Sequence, residues 1–258
     1  MNEFNLKNKI IILTGSEGLL AQNFIQSILK FDGKIILIDK KKRFKRSNKK
    51  LFFYKCNLTS EVNVKKTFLK IFKKFGAPDV LINNAALNPT PKEIKKHDFS
   101  LENFSKKYWD EDINSSLTSA FLCTKYFGKI QSNKNRCIIN ISSDLGLIAP
   151  NQTIYQNKYT KKFFKPVSYS VVKHGIIGLT KYTSTFWAKN NIRCNAVAFG
   201  GVYTNQEKSF VKKLNKLIPL GRMAKVNEYN STIIYLISDA SSYMNGSVLV
   251  VDGGRTAW

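Results

Sequence analysis

The chain has 258 residues and carries 42 Lys+Arg against 17 Asp+Glu, a formal net charge of +25. That length suits one large α/β domain with an ample core, and no apolar run approaches the length of a bilayer-spanning helix. With no signal-like N-terminal segment either, the expected protein is cytoplasmic and makes no use of a membrane. The lysines are spread along the whole chain rather than gathered in one patch, so the charge reads as compositional bias before it reads as a nucleic-acid surface. Cys56, Cys123, Cys137 and Cys194 show neither CxxC nor His-spaced patterns and fall in or beside predicted elements. They are expected to be reduced and buried, with no metal site.

Lys9–Thr14 (KIIILT) is a short apolar run of the kind that forms a buried parallel strand. The turn after it, Gly15-x-x-Gly18-x-x-Ala21, opens a segment with helical periodicity. Glycines at a strand-to-helix turn let backbone approach a pyrophosphate, which the helix N-terminus then holds. Lys34–Asp39 is a second strand ending in an acid, and an acid there accepts the ribose hydroxyls of NAD and repels the 2′-phosphate of NADP. The basic run Lys40–Arg43 directly after it keeps NADP open as the alternative. Leu51–Tyr54 is a third strand, Thr59–Phe75 an amphipathic helix with lysines outward, and Asp79–Asn83 a fourth strand running into Asn83-Asn84-Ala85-Ala86. Asn88–Asp98 reads as an exposed loop.

Leu101–Trp109 and Asp112–Ile130 are predicted helices, the second with Asn114 near its start, where an amide that competes for backbone groups marks a cap or a polar bend facing the site. Arg136–Ile141 is a fifth strand ending in Ser142-Ser143-Asp144-Leu145-Gly146, which places a serine hydroxyl at the carboxyl edge of the sheet. Ala149–Pro166 reads as a long loop over that edge. Pro166–Thr183 opens the next helix, predicted to run to about Asn190 with Ser168 as its cap. Tyr169 and Lys173 stand four apart on one helix face, where the ammonium and the helix dipole both favour phenolate and lower the phenol pKa. Ile192–Ala198, Glu207–Leu217, Asn227–Ile237 and Ser247–Val251 complete an alternation of strands and helices. The expected fold is a single-domain Rossmann-like, doubly wound parallel sheet over residues 1–258, with helices on both faces.

Taken together, TGSEGLLA at Thr14–Ala21, Asp39, NNAA at Asn83–Ala86, Asn114, SSDLG at Ser142–Gly146 and YSVVK at Tyr169–Lys173 resemble the short-chain dehydrogenase/reductase family over nearly the whole chain. The resemblance implies an oxidoreductase moving hydride between NAD, or NADP, and a carbon bearing a hydroxyl or ketone. Carried onto this sequence, it makes Tyr169 the acid or base and Ser143 a hydrogen-bond donor to the substrate oxygen. Lys173 would bind the nicotinamide ribose, and Asn114 would hold a relay water. Gly15, Glu17, Gly18, Leu19, Leu20, Asp39, Asn57, Leu58, Asn84, Ala85, Ala86, Tyr169, Lys173, Gly200, Val202 and Thr204 would line the cofactor. It also implies a homodimer or homotetramer joined through the Asn114 and Tyr169 helices.

The chain departs from the family in Leu19 and Ala21, in Asn57 and Phe199, and in an insertion at about 147–166, roughly a dozen residues longer than usual. GLLA, SDLGLIAPNQTIY, the insertion and NGSVLVVDGG resemble a bacterial subgroup associated with flagellin modification and surface-sugar synthesis. The implied substrate is a sugar, phosphorylated or nucleotide-linked, with Lys158, Lys161, Lys162 and Lys165 able to meet a phosphate. A 3-oxoacyl-[acyl-carrier-protein] reductase is the alternative, favoured by the basic surface and opposed by the inserted loop and Asp39. A non-catalytic nucleotide-sensing or nucleic-acid-binding protein is a further one, opposed by the intact Asn114, Ser143, Tyr169 and Lys173 set.

Overall fold

The computed structural model describes residues 3–42, 48–87, 98–155 and 163–258. Seven parallel strands lie in the order β3-β2-β1-β4-β5-β6-β7. They are β1 (Ile10–Thr14), β2 (Lys34–Asp39), β3 (Leu51–Lys55), β4 (Val80–Asn83), β5 (Arg136–Ser143), β6 (Ile192–Phe199) and β7 (Val248–Val251). The order reverses between β1 and β4, and the crevice outside their carboxyl ends is where ligands bind in open sheets of this kind.

Strand alternation divides the core into two layers. Ile11 and Leu13 of β1 face α1 (Leu19–Lys30), through Phe24, Ile25 and Ile28, and the last long helix, Asn230–Ile237, through Ile233, Ile234 and Ile237. Ile10 and Ile12 face α2 (Glu61–Phe75), through Val64, Phe68 and Ile71, and the helix Ser119–Gly128, through Leu122, Cys123 and Phe127. Burying both faces is why the strands are nearly continuous apolar runs. All four cysteines are free and buried within these layers.

The helix predicted at Leu101–Trp109 begins later, as α3 (Lys106–Asp112), capped by Ser105. Upstream, both carboxylate oxygens of Asp98 bind locally, one accepting from Ser100 N and the other from Asn103 Nδ2, which holds a turn. The continuous helix expected from Asp112 is interrupted by a π-helical turn, Ile113–Thr118, before α4 (Ser119–Gly128). Its cause is the Asn114-Ser115-Ser116 run: Ser119 Oγ donates to Ser115 O at 2.7 Å, and Ser115 Oγ to Asp112 O at 3.3 Å. Such side-chain bonds compete with the helical ladder and widen the turn.

The Tyr169 helix, α5 (Val167–Phe186), ends earlier than expected, and one 3₁₀ turn, Ala188–Asn190, follows it. Pro166, not Ser168, occupies the cap position, as its fixed φ and missing N–H allow. The predicted helix at Glu207–Leu217 is α6 (Lys208–Asn215), and Asn230–Ile237 is α7. Val226–Tyr229 just before α7 is 3₁₀. The long loop contains a 3₁₀ turn at Gln152–Tyr155. Asn88–His97, Arg43, Lys158, Lys161 and Lys162, about which the sequence raised expectations, lie outside the described residues.

Candidate active site

The first turn at the carboxyl edge is built for a close backbone approach. Gly15 has φ +61°, and a Cβ there would stand 2.7 Å from Ala85 Cα, so only glycine fits. Asn84 ties this turn to β4, its Nδ2 donating to Thr14 O and Gly15 O at 3.1 Å each, while Thr14 Oγ1 accepts from Asn84 N and Ala85 N. Gly18 caps α1 without any side-chain bond, and the first turn of α1 holds no acid. Backbone donors there stay available for an anionic group, the fit a dinucleotide pyrophosphate requires. Asp39 closes the turn from β2: Oδ2 accepts from Glu17 N at 3.0 Å and Oδ1 from Lys40 N at 2.7 Å. Leu19 is exposed at the mouth of the turn and Leu58 is buried beneath it, while Asn57 is exposed and bonds Thr59.

On the other side of the crevice, β6 runs into Gly200 and Gly201, and Val202 bridges to Ala224. Thr204 N donates to Gln206 Oε1. Phe199, which stands where the family has proline, is a core residue stacked on Tyr229 at 4.0 Å between ring centroids.

Ser143, Tyr169 and Lys173 converge where β5 ends against α5. Gly146 makes this possible, because a Cβ there would meet Ser142 Oγ at 2.5 Å and Lys173 O at 2.7 Å. Ser142 Oγ donates to Lys173 O, so it is occupied with structure and Ser143 is the serine left to face the site. Lys173 is buried and donates to Ile141 O at 3.0 Å, with its Nζ 5.6 Å from the Tyr169 ring centroid. Burial pushes its pKa down to about 8, helped by the nearby Lys165 charge.

Tyr169 behaves differently from the sequence expectation. Burial pushes its phenol up to about 12. The adjacent Ser143 hydroxyl favours phenolate, but the charges of Asp144 and Asp112 oppose it. The depression expected from Lys173 does not appear, and desolvation sets the direction of the shift.

Asn114 is not brought to the other three. It is exposed, and among the described residues its Oδ1 accepts only from Thr118 Oγ1, at 3.4 Å. Residues two apart on a helical turn do not share a face, and here the inward face belongs to Asp112 and Ser116. Ser116 Oγ accepts from Leu87 N at 3.1 Å and donates to Asp112 Oδ1 at 3.0 Å, while Asp112 Oδ2 accepts from Ser168 Oγ at 2.7 Å. Ser168 therefore braces Asp112 instead of capping α5.

Three further charged groups reach the site: Asp144 of the SSDLG segment, Lys165, and Arg255, of which the sequence pattern carries no sign. Asp144 accepts from Ser143 Oγ at 2.6 Å through one oxygen and from Arg255 Nη1 at 2.6 Å through the other. Arg255 and Asp144 are 6% and 3% exposed, a buried ion pair joining the chain's end to the catalytic edge. Asp252 sets this tail, accepting from Gly254 N and Thr256 N. Lys165 lies with its Nζ 3.6 Å from the Tyr169 ring centroid. The arrangement offers a phenol able to exchange a proton, a hydroxyl beside it, and a glycine cradle that fits a dinucleotide.

A family model described as enoyl-(acyl carrier protein) reductase matches residues 34–256. The 3-oxoacyl-[acyl-carrier-protein] reductase of Thermotoga maritima is 33% identical, over 78% of this chain and 75% of its own length. Post-translational flagellin modification protein A of Campylobacter coli is 29% identical, over 96% of this chain and 98% of its own. A crystal structure of a putative D-mannonate oxidoreductase from Haemophilus influenza, with bound NAD, superposes with a TM-score of 0.79 at 28% identity, covering 98% of this chain and 97% of that one. No helix among the described residues is long and apolar enough to cross a membrane. The chain belongs to the short-chain dehydrogenase/reductase family, oxidoreductases that act on CH–OH groups with NAD or NADP.

Proposed function

We propose that this protein, as one nucleotide-binding domain, transfers hydride between NAD and a hydroxyl- or ketone-bearing carbon of a sugar in surface-glycan or flagellin-glycan synthesis. The sugar is read as phosphorylated or nucleotide-linked. The observation that carries this reading is the cluster of charged side chains around Tyr169, formed by Asp144, Arg255 and Lys165. Such groups suit a polyhydroxylated substrate, whereas an acyl chain would leave them desolvated without partners. Likeness to the flagellin-modification protein and to the putative mannonate oxidoreductase supports the same class.

In this reading Tyr169 Oη gives a proton to the substrate oxygen during reduction and takes it during oxidation. Ser143 Oγ turns from Asp144 to donate to the same oxygen, and the Arg255 ion pair weakens Asp144's hold on that proton. Lys173 keeps donors beyond its bond to Ile141 O for the nicotinamide ribose. Bound nicotinamide supplies or accepts the hydride. Asp39 meets the adenosine ribose and disfavours a 2′-phosphate. We place the enzyme in the cytoplasm as a homodimer or homotetramer. Apolar groups exposed on α4 and α5, among them Phe121 at 47%, Tyr182 at 67% and Phe186 at 61%, support the oligomer.

The test is titration with NADH and with NADPH by nicotinamide fluorescence, followed by turnover on sugars, sugar phosphates and acetoacetyl-N-acetylcysteamine. Tight NADH binding and turnover of a sugar are expected. NADPH preference with turnover of the thioester would overturn the reading in favour of the carrier-protein reductase.

A further inference from the structure

Five ionisable side chains act on one another around Tyr169: Lys165, Lys173 and Arg255 as cations, Asp112 and Asp144 as carboxylates. Three positive charges against two negative leave one in excess. The carboxylates are already engaged, Asp144 by Arg255 and Ser143, Asp112 by Ser116 and Ser168. Lys173 is fixed on Ile141 O. The excess therefore falls on Lys165, whose ammonium rests on the face of the Tyr169 ring with no hydrogen-bond acceptor or carboxylate on it among the described residues.

Its position is built rather than incidental. Gln152 grips the Lys165 backbone twice, Nε2 donating to Lys165 O at 3.2 Å and Oε1 accepting from Lys165 N at 2.9 Å. Pro166 then begins α5 directly behind it. A half-buried cation with no carboxylate in direct contact among the described residues is costly to hold in place, and an anion arriving with the substrate offsets that cost without having to order the side chain. Oxidised nicotinamide adds further positive charge to the same crevice.

We propose that Lys165 is a specificity residue that receives an anionic group of the substrate, a carboxylate or a phosphate, against the face of Tyr169. This rests on the crevice being the substrate site and names the substrate as acidic. Burial, and the Arg255 charge after it, draw Lys165 down to about 8 against the pull of Asp144 and Asp112, and an arriving anion would favour its charged form.

The experiment is a calorimetric titration of the NADH-loaded protein with D-gluconate, glucose 6-phosphate and 3-hydroxybutyrate. Sorbitol and glucose serve as the neutral counterparts of the first two, and turnover with NAD is assayed on the same compounds. The wild type, Lys165→Met and Lys165→Arg are compared, with NADH affinity as the check on folding. At least one anion is expected to bind on the order of tenfold tighter than its neutral counterpart. Gluconate preference assigns the carboxylate and glucose 6-phosphate preference the phosphate. Lys165→Met should level the difference, and Lys165→Arg should retain most of it. Equal binding of charged and neutral members, binding of none, or a preference that survives Lys165→Met would overturn the proposal. Turnover of neutral sugars without anion preference would overturn it while leaving the sugar reading intact. A Lys165-dependent preference as strong for 3-hydroxybutyrate as for gluconate would uphold it and sink the sugar reading.

Discussion

The two edges of the sheet use the same basic residues for opposite ends. At the amino edge, around a hollow of about 600 Å³, every guanidinium is bonded to main chain. Arg136 donates to Phe127 O and Ile130 O, and Arg193 to Met244 O and Leu236 O. Lys9 pairs with Asp239 at 2.6 Å and Lys134 with Asp79 at 3.2 Å. The two arginines close carbonyls left over near helix ends, those of Phe127, Ile130 and Leu236, which would otherwise cost free energy. At the carboxyl edge Lys173 spends one bond, Lys165 rests on a ring, and the first turn of α1 has no side-chain cap. Under the proposed function, charge is spent on the fold at one edge and kept for ligands at the other, and Arg255 is the exception that does both.

That exception gives the sharpest way to break the comparison. Arg255→Met leaves Asp144 buried without its partner and should cost about 3 kcal/mol, seen as a fall in Tm of roughly 6–12 °C. Adding Asp144→Asn should recover most of the loss, because the stranded charge goes with it. Additive losses in the double variant would mean that the pair is not coupled, and the tail would have to be placed by packing alone.

A smaller effect separates the two residues of the π-turn. Ser116→Ala removes a bond from Leu87 N and one to Asp112, and should lower stability by about 1–3 kcal/mol with loss of turnover. Asn114→Ala, at an exposed position, should stay within about 0.5 kcal/mol and leave the rate nearly unchanged. A rate collapse in Asn114→Ala would restore it to the site.

What was legible in the sequence was local. Strand β2 was bounded as predicted, the glycine at position 15 does take the left-handed conformation of a tight turn, and Tyr169 and Lys173 do share one helix, because turn chemistry and helix periodicity act over a few residues. The parts that were missed depend on long closures: Ser168 reaches Asp112 across 56 positions, and Arg255 reaches Asp144 across 111. A signal did exist for Asp144, an acid set between a strand end and the apolar Leu145-Gly146-Leu147-Ile148 in a chain poor in acids. Nothing of that kind marked Ser116 over Asn114, since the π-turn that chooses between them forms only once Ser115 and Ser119 bond the helix carbonyls. The phenol's upward shift likewise came from burial, which a sequence spacing does not contain.

The most direct measurement pairs one variant from each edge, Arg136→Met and Lys173→Met, with two readouts, Tm and NADH affinity. The account predicts that Arg136→Met lowers Tm by several degrees, with about 2 kcal/mol lost, and leaves NADH affinity unchanged. Lys173→Met should weaken NADH on the order of tenfold while Tm holds or rises. The opposite pattern, NADH lost with Arg136 and stability lost with Lys173, would contradict the division of the sheet into a structural and a ligand edge.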